Sequence, residues 1–255
     1  MIASIRSEWT KLFTTKVWLG LLLGACVLVA GFSALFTGLA GQSRNGEPGL
    51  PAVGTPQFEQ LVFSSPPANA NVLVLILGII GMTQEYRHRT ATPTFLTEPR
   101  RWRVVTAKLA AYGLVAVPFA LIVLAVNVLV VEVYAGARGS APSLSGDNLA
   151  VLWHTGVALV IYALIGIGIG ALIKSQVGAI VGGLVYLRVV EPVIRSVPAT
   201  SGAYKWMPGG GLEAMTATFQ GPDLLQAWQG ALLLHGYGLL AAVLGTFIAD
   251  RRDIV

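Results

Sequence analysis

The chain has 255 residues, of which 55% are hydrophobic and only 11% are charged, and its mean hydropathy is +0.71. A soluble domain carries about 25% charged residues, so this composition excludes an ordinary soluble protein. The net charge of +5 could indicate nucleic-acid binding. In so apolar a chain, basic residues that orient membrane spans explain it better. We therefore expect one all-α polytopic membrane domain over residues 1–255, with no nucleic acid as a partner.

The first 16 residues predict an amphipathic helix at the membrane surface. Apolar residues follow helical spacing on one face: Ile2, Ile5, Trp9, Leu12 and Phe13. Charged residues fall on the other face: Arg6, Glu8 and Lys11. Charges are costly inside lipid, which favours a helix lying at the interface over an early start of the first span.

Six segments are apolar over 17 to 27 residues, and about 20 residues suffice to cross a bilayer. The predicted spans are residues 17–39, 68–84, 107–133, 149–173, 177–197 and 226–249. The stretches between them at 40–67 and 135–148 are rich in Gly, Pro, Ser and Asn, which is typical of exposed loops. Residues 198–225 mix aromatic and apolar residues with a glycine break, which suits short helices that dip toward the membrane. Three G-x-x-x-G patterns, starting at Gly20, Gly166 and Gly178, predict close helix contacts.

Basic residues predict the orientation of these spans. The segments at 1–16, 84–108, 174–176 and 250–255 hold twelve of the 17 Lys and Arg residues, and the opposite loops hold three. By the positive-inside rule, both termini and the 84–108 loop are expected in the cytoplasm.

The loop between the second and third spans, "QEYRHRTATPTFLTEPRRWRVVTAKL", is the most charged part of the chain. It combines aromatic residues with arginines, a composition that favours a protein-docking surface. The alternative is a loop that only fixes orientation and binds anionic lipid head groups. Three aromatic residues and two acids exceed what orientation requires, so docking is the preferred hypothesis.

The sequence offers little support for chemistry within the chain. The segment "GIGIGALIKS" has Ile173 where a nucleotide-binding loop needs Gly, and it ends an apolar helix. His88, His154 and His235 stand alone, without the paired acids of a metalloprotease. The single cysteine, Cys26, excludes an internal disulfide or a thiolate metal cluster. We therefore expect no catalytic site and no metal.

Charged residues inside the spans are candidates for a gate or a lumen. Arg188, Glu191 and Arg195 have helical spacing that predicts a stripe of alternating charge, and Pro192 predicts an interruption of the helix. A purely structural ion-pair triad is the alternative. His235 in the sixth span could line a cavity or bond a neighbouring helix.

This order of elements resembles the permease subunits of the ABC-2 type of ATP-binding-cassette exporters, particularly the small bacterial ones. The resemblance covers nearly the whole chain. Its most specific part is the loop that starts with Glu85, Arg87 and Arg89 and ends in "TEPRRWRVVTAKL". The middle of the loop, "TATPTFLTEP", departs from the Gly-Thr-Leu pattern that the family often has, and Pro93 and Pro99 set where its helix could begin or end.

The resemblance implies the ABC-2, type V exporter-like, fold, with two permeases around a central pathway as a homodimer or a heterodimer. Two copies of a separate cassette ATPase would bind and hydrolyse ATP with Mg, so this chain would hold no cofactor. Loop 85–106 would be the coupling helix that docks on the ATPase, and residues 198–225 a re-entrant hairpin. The implied coupling residues are Glu85, Tyr86, Arg87, Arg89, Phe95, Glu98, Arg100, Arg101, Trp102, Arg103 and Lys174.

The implied function is export across the bacterial cytoplasmic (inner) membrane. The small outer loops and apolar spans suit a hydrophobic or amphipathic cargo such as a drug, an antibiotic, a peptide or a lipid. A secondary transporter is the main alternative and would need inverted repeats, of which the sequence shows no clear sign. A membrane-bound enzyme ranks third.

Overall fold

The computed structural model describes residues 2–42, 49–88, 101–173, 175–216 and 224–251, and all regular structure in these ranges is helical. The helices are α1 Ile2–Thr14, α2 Val17–Leu39, α3 Pro56–Ala68, α4 Asn71–Arg87, α5 Arg101–Ala137, α6 Asp147–Leu172, α7 Gln176–Val185, α8 Glu191–Ser196, α9 Ser201–Tyr204, α10 Pro208–Thr216 and α11 Ala227–Arg251. A π-helical turn, Tyr186–Val190, joins α7 to α8.

Among the described residues, six helical segments are long and apolar enough to cross a membrane, which supports the predicted all-α, multi-pass architecture. They are Val17–Leu39, Pro56–Arg87, Trp102–Ala137, Asp147–Leu172, Gln176–Ser196 and Ala227–Leu244. The first matches its predicted bounds. The third is longer than predicted at both ends, because the helix continues through polar residues beyond the apolar stretch.

The second span starts earlier than the predicted residue 68. Residues 56–68, expected in a loop, form α3, because Pro56 suits the first helical position and the Thr55 hydroxyl accepts a hydrogen bond from the Phe58 N–H at 3.2 Å. A break at Asn69 and Ala70 separates α3 from α4. The two helices together form one long span, Pro56–Arg87, and the break places polar groups inside it.

Helices α4 and α6 form the tightly packed centre of the bundle. Gly78 lies against the backbone of Ala163, and Gly166 lies against the backbone of Leu75, so a Cβ at either position would overlap a carbonyl oxygen. Of the three predicted G-x-x-x-G patterns, only the one starting at Gly166 makes such a contact among the described residues. The glycine at position 20 has nothing within 4 Å of a Cβ built on it.

The fifth span is interrupted just before Pro192, near where the sequence predicts it. Pro192 has no N–H to donate to the carbonyl of Arg188, and the Glu191 N–H bonds to the Tyr186 carbonyl in the wider π-helical turn. Beyond this span, α10 packs on α11 and α6, with Leu212 and Met215 buried against Leu234. Residues 198–216 thus carry two short helices that pack on the bundle.

Candidate functional site

A buried charge cluster of Glu8, Lys11, Glu85 and Lys108 joins α1 to α4 and α5. Lys108 Nζ lies 2.6 Å from Glu8 Oε2 and 3.2 Å from Glu85 Oε1. Lys11 Nζ lies 2.7 Å from Glu8 Oε1 and 2.8 Å from Glu85 Oε1. Each carboxylate therefore contacts both ammonium groups, and the four side chains form a closed network.

Burial makes this network a structural element rather than a surface feature. The side chains of Lys108, Glu85 and Glu8 are 0%, 4% and 5% exposed. Lys108 also donates to the Gly81 carbonyl at 3.0 Å. Burial lowers the pKa of Lys11, but the hydrogen bonds and charges of Glu8 and Glu85 outweigh it and raise that pKa overall. Two acids and two bases compensate one another, so three of the four groups can stay charged while buried, and only Lys11, 35% exposed, reaches water.

Helix α1 packs on the bundle through residues of both predicted faces. Glu8, expected on the polar outer face, is buried, and Leu12 beside it lies in the same apolar cluster as Val105. Trp9 and Phe13, expected to lie with Leu12, are 40% and 49% exposed. The sequence pattern did not predict the burial of Glu8, because the charges on α1 pair with opposite charges on α4 and α5.

The predicted coupling residues fall into three groups. Glu85 is buried in the charge cluster, which corrects its expected place on a docking surface. Arg87 and Trp102 are exposed, Tyr86 is half-buried, and the Arg103 guanidinium stacks over the Trp102 ring at 5.5 Å. The remaining predictions lie outside the described residues: Arg89, Phe95, Glu98, Arg100, Lys174 and the side chain of Arg101. The same is true of Pro93 and Pro99.

A second group of charges surrounds a polar cavity of about 200 Å³ between the α3–α4 break, the fifth span and α10. Arg188 donates to the Asn69 side-chain oxygen at 2.9 Å and to the Asn69 carbonyl at 3.1 Å. Glu191, 3% exposed, accepts a hydrogen bond from the Gly209 N–H at 3.2 Å. Arg195 pairs with Glu213 at 2.6 Å. The two interrupted spans, the second with its α3–α4 break and the fifth with its π-helical turn, thus both line this cavity.

The structure does not form the alternative that the sequence left open, an ion-pair triad of Arg188, Glu191 and Arg195. Each of the three binds a partner from another element, because the π-helical turn changes the spacing of Arg188 relative to Glu191 and α10 supplies new partners. Glu213 was missed by the sequence reasoning. Its signal was an acid between glycines and apolar residues in "GGGLEAM".

Glu213 and Tyr204, both outside the spans, interact electrostatically with each other and with Arg195. Burial raises the pKa of Glu213, and the charge of Arg195 opposes that rise. Burial and the nearby Glu213 carboxylate raise the pKa of the Tyr204 hydroxyl. The Arg195 guanidinium also lies 5.5 Å from the centre of the Tyr204 ring. The Arg195–Glu213 pair is only partly desolvated, because the two side chains are 39% and 12% exposed.

His235 lies elsewhere, on the wall of a separate, apolar cavity of about 440 Å³ between α5, α6 and α11. Its Nδ1 is 2.7 Å from the carbonyl oxygen of Ala231 in its own helix. The other lining residues are apolar and include Trp153 and Leu164. The structure thus does not bring His235 together with the three charged residues of the fifth span.

Comparisons with known proteins leave the family of this chain open. No family model matches the chain, and no curated protein is significantly similar to it. The functional conclusion therefore depends on the two polar sites and on the order of the elements.

Proposed function

We propose that this chain is the permease subunit of an ATP-binding-cassette exporter of the ABC-2 type. The observation that carries the proposal is the buried charge cluster. It links Glu85, in the last turn of α4, to Lys108, near the start of α5, and both to α1. The loop between α4 and α5 is therefore anchored at both ends, and a force applied to it would reach three helices at once.

A partner could apply this force at the surface next to the cluster. Arg87 and Trp102 are exposed, and Arg103 stacks on Trp102, so positive charge and an aromatic anchor lie side by side. Such a composition is favoured at interface hot spots. Glu85 has a different role in the proposal, because it transmits movement through Lys11 and Lys108 rather than touching the partner.

Helix α4 offers a direct path from this end of the bundle to the polar cavity. It carries Glu85 in its last turn and begins at Asn71, which lines the cavity. Helical rise puts these residues about 21 Å apart. Because α4 packs closely on α6 along this length, the pair would move as one body.

The remaining parts of the proposal follow the resemblance. ATP and Mg are bound by a separate cassette ATPase, two copies per transporter, and two permeases form the pathway. The termini and the 84–108 loop face the cytoplasm of a bacterium, and the chain lies in the cytoplasmic membrane. The cargo is hydrophobic or amphipathic, and residues 198–225 form the re-entrant segment near the outer surface.

Co-purification tests the proposal. The tagged chain, extracted in mild detergent, is expected to retain a cassette ATPase in a one-to-one ratio, and Trp102→Ala should reduce the amount retained. Trp228→Ala is the control, because Trp228 is also exposed but lies on α11. Retention that does not change in Trp102→Ala would contradict the docking assignment.

A secondary transporter is the second candidate, and one observation favours it. Glu191 is a buried carboxylate inside a span and makes no ion pair within the described ranges. Such groups often serve ion-coupled transport. Uptake into liposomes that contain only this chain, driven by a proton or sodium gradient, would support this candidate over the permease.

A further inference from the structure

In the buried charge cluster, every charged group contacts a group of opposite charge. The charges around the polar cavity do not all have such a contact among the described residues. Arg195 and Glu213 form the only ion pair that the described residues provide there. Arg188 donates two hydrogen bonds to Asn69, which is neutral. The Glu191 carboxylate contacts the Gly209 N–H and interacts with Tyr186, both neutral groups. One positive and one negative group therefore face the same cavity without a charged partner among the residues that the structure describes.

Burial makes the unmatched carboxylate costly unless something compensates it. Glu191 is 3% exposed and lies inside a candidate span. A carboxylate in such a place is normally paired with a cation or bound to several donors. Here the protein supplies one backbone donor and one phenol, and the open space beside them is the cavity itself. The site is thus prepared for a cationic group that comes from outside the chain.

Arg188 provides the complementary half of the site. A guanidinium carries five N–H donors, and Asn69 takes two of them. The remaining donors suit a phosphate or a carboxylate, the groups that guanidinium binds best. The cavity volume of about 200 Å³ is below the usual range of about 300–1,000 Å³ for drug-sized ligands, so it suits a small head group.

We propose that this cavity binds a zwitterionic group, with a primary ammonium at Glu191 and a phosphate or carboxylate at Arg188. A phospholipid head group and a free amino-phosphate share this chemistry. Apolar side chains on the outward side of the same span, including Val189 and Val193, are exposed and would lie beside the acyl chains of a bound lipid. The proposal concerns binding by this chain alone and does not depend on an ATPase.

Native mass spectrometry of the purified full-length chain tests the proposal with three probes. These are phosphatidylethanolamine, phosphatidylglycerol, which lacks the ammonium, and soluble phosphoethanolamine. A charge-assisted hydrogen bond to Glu191 should make phosphatidylethanolamine bind about tenfold or more tightly than phosphatidylglycerol. Glu191→Gln should remove this preference. Arg188→Gln should weaken both lipids by a similar factor.

Matched controls carry the same charge changes away from the cavity. Asp147→Asn and Arg6→Gln are exposed and should leave both affinities unchanged. Equal binding of the two lipids by the unmodified chain, or a preference that survives Glu191→Gln, would overturn the proposal. If Glu191→Gln does not fold, Arg188→Gln alone tests the proposal, because the Arg188 side chain is exposed and its substitution should not prevent folding. Unchanged lipid affinities in Arg188→Gln would then overturn the proposal.

The soluble probe distinguishes the two sources of the ligand. Displacement of phosphatidylethanolamine by phosphoethanolamine would show that the head group alone is recognised and that a soluble ligand can fill the site. Continued preference for phosphatidylethanolamine without such displacement would support a lipid ligand. Failure to bind any of the three probes would refute the binding site but would leave the permease proposal standing.

Discussion

The buried charge cluster and the polar cavity each hold two acids and two bases, yet they are built in different ways. In the cluster, each carboxylate contacts two ammonium groups, and the Lys108 side chain is 0% exposed. At the cavity, Arg195 is 39% exposed, and Glu191 has no charged partner among the described residues. Two acids and two bases thus form a closed network in one place and an open site in the other.

This difference indicates which charges stabilise the fold and which remain available to bind a ligand. Removing one partner from a closed, buried network leaves an uncompensated charge, and the cost appears as lost stability. Removing a partially exposed partner costs little, because water replaces it. We therefore expect substitutions in the cluster to affect folding and substitutions at the cavity to affect binding.

The largest effect is expected for Lys108→Ala. This change leaves Glu8 and Glu85 buried with only Lys11 between them, and the loss of a buried ion-pair partner costs about 3–5 kcal/mol. In a chain of this size that corresponds to a fall in melting temperature on the order of 10 °C. Thermal unfolding in detergent measures the fall.

The cluster also predicts how a second change restores stability. In Lys108→Ala, the single ammonium of Lys11 faces two carboxylates. Adding Glu8→Gln removes one of these carboxylates, so the double variant should be more stable than the sum of the single losses predicts. Arg6→Ala, exposed on the same helix, is the control and should unfold with the unmodified chain. A melting temperature for Lys108→Ala within a degree or two of the unmodified chain would contradict the closed network.

An intermediate effect is expected for Gly166→Ala, which tests whether α4 and α6 join the two regions rigidly. The added methyl group would overlap the Leu75 carbonyl, so the helices must separate at a cost of about 1–3 kcal/mol or more. Gly20→Ala has open space and should be neutral or slightly stabilising. Thermal unfolding of both variants checks this prediction, and equal melting temperatures would show that the close contact is not needed.

The smallest effect is expected for Arg195→Gln. The pair with Glu213 is partly exposed, so its loss should cost about 0–1 kcal/mol at neutral pH. Arg195 also opposes the burial that raises the pKa of Glu213, so the variant should raise that pKa further. When folding raises the pKa of a carboxyl, the free energy of unfolding of the protein falls as the pH rises from the unfolded to the folded pKa. The difference in melting temperature between variant and unmodified chain should therefore grow from pH 4 to neutral pH, and a difference that shrinks would contradict this assignment.

Much of the fold could be predicted from the sequence, because apolar runs of sufficient length predict spans directly. The first span illustrates this, since residues 17–39 are continuously apolar and helical. Residues 56–68 were not predicted as a helix, because Gln57, Glu59 and three prolines lower their hydropathy. Their burial depends on contacts with α2, α5 and α6 that no local pattern records.

The candidate sites were only half predictable for a similar reason. Arg188, Glu191 and Arg195 stand out as charges in an apolar span, but their partners Asn69, Gly209 and Glu213 come from distant segments. Helical spacing alone pairs the three with one another. Likewise, Glu8 and Lys11 fit a solvent-facing side of α1 until Glu85 and Lys108 are brought beside them.

We propose that a separate ATPase acts on this chain through the segment anchored by the buried charge cluster. The most direct measurement is the ATP hydrolysis rate of the co-purified ATPase in lipid vesicles, with and without this chain. We predict that the unmodified chain changes the rate and that Trp102→Ala removes most of that change, whereas Trp228→Ala does not. An ATPase rate that is the same with the unmodified chain, with Trp102→Ala and with no chain at all would contradict the account.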